Sequence, residues 1–134
     1  MRLVNYFANP WNPQPEEIRA WAYDADAMWP EQDFDLALSW AGHEKACLDL
    51  AADDACPKRL FFLSVLYLMV GDAVRSNFKV ASEPVVRGLV ERGKEYSHPD
   101  IRIWQERSRA LLANRELFNY DKWCGGGYVR ERDA

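Results

Sequence analysis

Apolar residues recur along most of this chain at helical spacing, and no pair of segments alternates with the period of two that sheet strands need. Residues 1–14, with Asn9, Pro10, Asn12 and Pro13, read as an extended lead-in. Leu3–Phe7 has the composition of a short strand but no second strand to pair with. A first helix is predicted from Pro15 to just before Pro30. Proline suits the first helical position, and Glu16 and Glu17 suit the positive end of the helix dipole. Ile18, Trp21, Ala22, Ala25, Met28 and Trp29 then share one face.

A second helix is predicted from about Asp33, its N-cap, to Asp53. Leu36, Trp40, His43, Cys47 and Leu50 stack on one line of it, leaving a narrow stripe of Asp35, Ser39, Gly42, Ala46, Asp49 and Asp53. The third, from about 57 to 76, is apolar on every side over Leu60–Val70, the mark of a central helix covered by its neighbours. Ser64 and Gly71 lie one above the other on it and suit a close helix crossing.

Ser82 and Pro84 open a fourth helix with Val85, Val86, Leu89 and Val90 as its core face and Gly93 near its end. Pro99 and Asp100 open a fifth, whose inner face is Ile101, Trp104, Ser108, Leu111 and Leu112. A short sixth segment, Arg115–Trp123, runs into Gly125–Gly127 and a charged tail, so residues 125–134 read as a stop and a tail. The expectation is a single all-α domain over 1–134, an irregular bundle of five to six helices around the central one. A short helical-repeat stack is the alternative, and the lack of internal self-similarity favours the bundle.

Composition narrows the class. An apolar fraction of 49% and a charged fraction of 28% are those of a soluble globular protein. The longest apolar run falls short of the roughly 20 residues a bilayer requires, so no membrane partner is expected. The first residues lack the apolar core of a secretory signal. Three cysteines (Cys47, Cys56, Cys124) are an odd count, which points to reduced thiols and a cytoplasmic setting.

Charge is distributed unevenly. Residues 1–56 carry eleven acids and three bases, a balance of −8, whereas residues 57–134 carry fourteen bases and ten acids, a balance of +4. The acids concentrate at Asp24, Asp26, Glu31, Asp33 and Asp35, interleaved with Trp21, Tyr23, Trp29 and Phe34, and continue along Asp49 and Asp53. Aromatic anchors rimmed by charge are what steered protein interfaces use.

Other chemistry is thin. His43 and Cys47, four apart, have a spacing that can share a metal, but they also sit on an apolar line, and packed core is the better reading. His98 and Asp100 read as turn and cap residues rather than a catalytic pair with Cys124. Gly125–Gly127 lacks the strand, the helix and the Lys of a phosphate loop. Arg102, Arg107, Arg109 and Arg115 alternate with Glu106 and Glu116, so direct nucleic-acid binding is not expected.

No catalytic residue and no cofactor is nominated. The favoured expectation is a non-enzymatic binding protein whose acidic half docks a basic partner at Asp24, Asp26, Glu31, Asp33, Asp35, Asp49 and Asp53. Its concrete form is an immunity-protein or antitoxin-like inhibitor of a toxin such as a nuclease. The alternatives are a small metal-dependent enzyme using His43 and Cys47, and a module that self-associates as a homo-oligomer, acidic half against basic half.

Overall fold

The computed structural model describes residues 5–30 and 34–119. Among these there is no strand, and six α-helices pack together. They are α1 (Pro15–Ala22), α2 (Phe34–Leu38), α3 (Glu44–Ala51), α4 (Arg59–Arg75), α5 (Glu83–Arg92) and α6 (Pro99–Ala113). Single 3-10 turns, Gly93–Glu95 and Arg115–Leu117, follow α5 and α6.

The uniformly apolar segment is the centre of the bundle. α4 packs against α2, α3, α5 and α6 and buries Phe62, Leu63, Val65–Gly71, Ala73 and Val74. Each large apolar side chain taken fully out of water contributes about 1.5–3 kcal/mol before entropy is counted. α4 ends where Asn77 (φ 58°) and Phe78 (φ 62°) turn left-handed. The Phe78 N–H then reaches the Ala73 carbonyl at 2.7 Å and the Asn77 N–H that of Val74 at 3.0 Å, satisfying two carbonyls of the last turn.

The inner face predicted for the last long helix is the one α6 buries, from Ile101 through Leu112. His98 is its N-cap: Nδ1 accepts the Asp100 backbone N–H at 3.1 Å. Gly93 follows α5, where the Gln105 side chain fills the space a Cβ would need, with atoms 3.3 Å from that position.

Two predicted helices are shorter or broken. The first ends at Ala22, not near Pro30, so Ala25, Met28 and Trp29 are not on its face. The Asp24 carboxylate accepts the Asp26 backbone N–H at 3.1 Å, a local bond that competes with helix continuation. The Lys58 ammonium bonds the Trp21 carbonyl at 3.1 Å, the acceptor a further turn would have used, and bonds the Asp24 carbonyl as well.

The helix predicted over 33–53 is two helices, α2 and α3, separated by Ser39–His43. Trp40 (φ 54°) and Gly42 (φ 87°) are left-handed there, which no α-helix accommodates. The strain at Trp40 is offset by a long-range bond, its indole N–H donating to the Met69 carbonyl at 2.8 Å. The proposed line of Leu36, Trp40, His43, Cys47 and Leu50 therefore does not exist: Leu36 is exposed, while Cys47 and Leu50 are buried. The acidic stripe is cut the same way, with Asp35 on α2, Asp49 on α3 and Asp53 beyond the end of α3.

Of the sixth segment, Arg115–Leu117 forms a 3-10 turn, and its end, with Gly125–Gly127 and the tail, lies outside the described residues. Among the described residues no helix is long and apolar enough to cross a membrane.

Candidate functional site: the Trp29 face

The segment Tyr23–Pro30 between α1 and α2 is a loop whose Met28 and Asp24 carbonyls are held by side chains of α1 and the start of α4. The Trp21 indole N–H donates to the Met28 carbonyl at 2.9 Å. The Lys58 ammonium holds the Trp21 and Asp24 carbonyls from the start of α4 and lies 4.8 Å from the centre of the Trp21 ring. Burial, the largest influence on Lys58, pulls its pKa below the usual lysine range despite the nearby Asp26 charge.

Trp21 is the hub of the aromatic cluster beneath this loop. Its buried ring contacts those of Phe7, Trp29, Phe34, Phe61 and Phe62, with centres 5.2–6.0 Å apart. Trp29 sits at the outer edge of the cluster, 4.8 Å from Phe61 and 5.3 Å from Trp21. Its back is packed and its front is not, since 57% of the residue is accessible. Exposed Met28 stands beside it. Trp29 also borders two grooves, one of about 250 Å³ toward Tyr6 and Phe7 and one of about 540 Å³ toward Pro57, Lys58 and Leu60.

The acids named from sequence divide into groups. Asp26 is exposed on the same loop as Trp29. Asp24 is half-buried and accepts the Tyr6 hydroxyl at 2.6 Å. Asp53 accepts the Tyr23 hydroxyl and the Ala55 N–H, and these bonds, the tyrosine first, hold its carboxyl below the ordinary range. The same bond is the main reason the Tyr23 pKa is pushed up to about 12.

Asp49 accepts the Tyr96 hydroxyl at 2.5 Å and the Lys45 ammonium at 2.9 Å. Partial burial pushes its carboxyl up, but these two donors outweigh that and leave it lowered. Tyr96 is raised, by burial first and by the Asp49 bond and charge next. Asp35 lies half-buried in the first turn of α2, away from the α3 acids in sequence and element. Glu31 and Asp33 lie outside the described residues.

Three of the seven nominated acids thus tie the fold together through tyrosine hydroxyls, and Asp26 is left beside the aromatic ridge. The spacing of Asp24 and Asp26 is that of residues favouring local turns. Trp29 precedes a proline, a position biased away from helix. Those signals point to the loop. The tyrosine pairings span 18, 30 and 47 residues and have no local signal.

The candidate metal pair does not form an open site. Cys47 is buried and burial drives its thiol pKa up, which suppresses the thiolate a metal or a nucleophile requires. His43 is half-buried before α3, and burial lowers its pKa. Among the described residues no group of three or more His, Cys, Asp and Glu side chains comes together as a metal-ligand set.

His98 has both ring nitrogens engaged: Nδ1 caps α6, and Nε2 lies 2.8 Å from the Asp54 carboxylate. Next to it the Arg59 guanidinium pairs with buried Asp100 at 2.7 Å and donates to the Ala51 carbonyl at 3.1 Å. This arrangement joins the end of α3 to the starts of α4 and α6, and it engages both His98 ring nitrogens in bonds within the fold.

No protein-family model, no curated protein and no solved structure matches the chain.

Proposed function

We propose that the chain is a small helical binding protein that docks a basic protein partner on the Trp29 face. The carrying observation is Trp29 itself: a tryptophan gripped from behind by Phe61 and Trp21, open in front, and bordered by two grooves. Rigid aromatic anchors of this kind dominate interface energetics because they bring large area with little side-chain entropy to lose. Asp24 and Asp26 on the same loop, within an acid-rich first half of the chain, give the face its charge. Two bases stand nearby: Lys58 is held on backbone carbonyls with the Asp26 charge close by, and Arg59 is paired with Asp100. The concrete form of this reading is an immunity-protein or antitoxin-like inhibitor whose surface covers the basic face of a toxin such as a nuclease.

Capture from a native lysate with the full chain, the Trp29→Ala variant and the Asp26→Asn variant tests it. The expected result is a basic protein retained by the parent chain, lost with Trp29→Ala, and associating more slowly as salt rises. A retained protein that is acidic, or that binds all three chains alike, removes the proposal.

A further inference from the structure

A second surface lies away from the Trp29 loop, where the break between α2 and α3 faces α5. Trp40, Glu44, Val80, Val85, Gly88 and Arg92 line an open groove of about 460 Å³. Val80 and Val85 are 49% and 55% accessible although both are apolar, and α5 already buries Val86, Leu89 and Val90 on its core side. Val85, Gly88 and Arg92 recur at helical spacing, so α5 turns a second stripe outward. At its middle Gly88 has open space where a Cβ would stand, which lets another backbone approach closely. The groove also carries one acid, Glu44, and one base, Arg92.

The geometry points to a second copy of this chain as the occupant, in a two-fold dimer that seats α5 against the groove. In a two-fold interface each residue meets in the partner what its own counterpart meets in return. A groove with one acid and one base is therefore its own charge complement: Arg92 of one copy faces Glu44 of the other, twice. A partner of uniform charge would leave one of the two groups opposed. The apolar Val80 and Val85 and the bare backbone at Gly88 occupy the centre of the contact. The dimer this groove seats is expected to be a reversible one, forming as concentration rises. This surface is independent of the Trp29 face.

Sedimentation of the full chain over a wide concentration range reads the dimer directly. The parent chain is expected to pass from monomer to dimer as concentration rises. Glu44→Arg and Arg92→Glu, each made alone, are expected to weaken the dimer about tenfold or more, because each places like charges across both symmetry-related contacts. An equimolar mixture of these two variants is expected to form a heterodimer, since one copy is then all basic in the groove and the other all acidic. A defect in folding would not be rescued by mixing, and circular dichroism of each variant checks the fold separately. Trp29→Ala should leave the dimer unchanged. A parent chain that stays monomeric throughout, single variants that dimerise like the parent, or a mixture that stays monomeric would each overturn the inference.

Discussion

Trp29 rests on Phe61 with ring centres 4.8 Å apart, and yet more than half of Trp29 is open to solvent. A side chain held this way costs little to immobilise further on binding, and its removal gives up only the packing of its inner face on Phe61 and Trp21. Trp29→Ala is therefore expected to reduce partner affinity by about tenfold or more while moving the thermal midpoint by only a few degrees. Titration calorimetry and thermal melts of the same samples check it. A large loss of stability would show that the indole is mainly structural.

The tyrosine–aspartate pairs set both pH edges of stability. The Asp49 and Asp53 carboxyls are held below their ordinary value of 3.8 in the folded chain. Their contribution is full above that value and is lost as pH falls through the lowered folded-state values. Tyr96 and Tyr23 are raised above the ordinary 10.0, Tyr23 to about 12. Their contribution is full below pH 10 and is lost as pH rises toward and beyond 12. Denaturant unfolding across pH should show both edges, and a Tyr23→Phe, Tyr96→Phe double variant should flatten the alkaline one. An unchanged alkaline limb in that variant would contradict the pairing.

Arg59 and Asp100 are 16% and 7% accessible as side chains and lie 2.7 Å apart. Removing one partner takes the nearest counter-charge from a buried group, so Arg59→Ala is expected to cost up to about 3–5 kcal/mol, and Asp100→Ala less, because Arg59 keeps the Asp54 carboxylate at 3.9 Å. A joint apolar replacement should cost less than the sum of the singles. Chemical denaturation in a double-mutant cycle measures the coupling, and additive losses would count against it.

Gly42 and Gly88 should respond to alanine with opposite signs. Both have open space where a Cβ would stand, so space does not distinguish them. Gly42 has φ 87°, which an L side chain resists, and Gly42→Ala is expected to destabilise by about 1–2 kcal/mol. Gly88 lies within the α-helix α5, and Gly88→Ala should stabilise the chain by about 0.5–1 kcal/mol. Equilibrium unfolding of the two variants gives the sign directly.

Much of the scaffold was legible in the residues alone. The all-round apolar run from Leu60 to Val70 announced the central helix, and the spacing from Ile101 to Leu112 announced the buried face of α6. Ser82 with Pro84, and His98 with Pro99, marked the starts of α5 and α6. The candidate face was legible only in part. The acids and aromatics of residues 21–35 stand out, but the helical spacing puts Met28 and Trp29 on a face of the first helix, which ends before them at Ala22 and leaves both exposed on the loop.

Periodicity and capping are local properties, carried by residues a few positions apart, and so the sequence by itself determined the all-helical class, the central helix α4 and the buried faces of α5 and α6. The end of α1 and the break before α3 depend on partners elsewhere in the chain. Lys58 takes the carbonyls of Trp21 and Asp24, and Met69 accepts the indole N–H of Trp40, 29 positions away. The tertiary structure alone decided these, together with the assignment of Asp24, Asp49 and Asp53 to tyrosines and the outward turn of Trp29. The physical reason is that a hydrogen bond or ring contact across tens of residues exists only after the core has brought its ends together, and it then outweighs the local preference at either end.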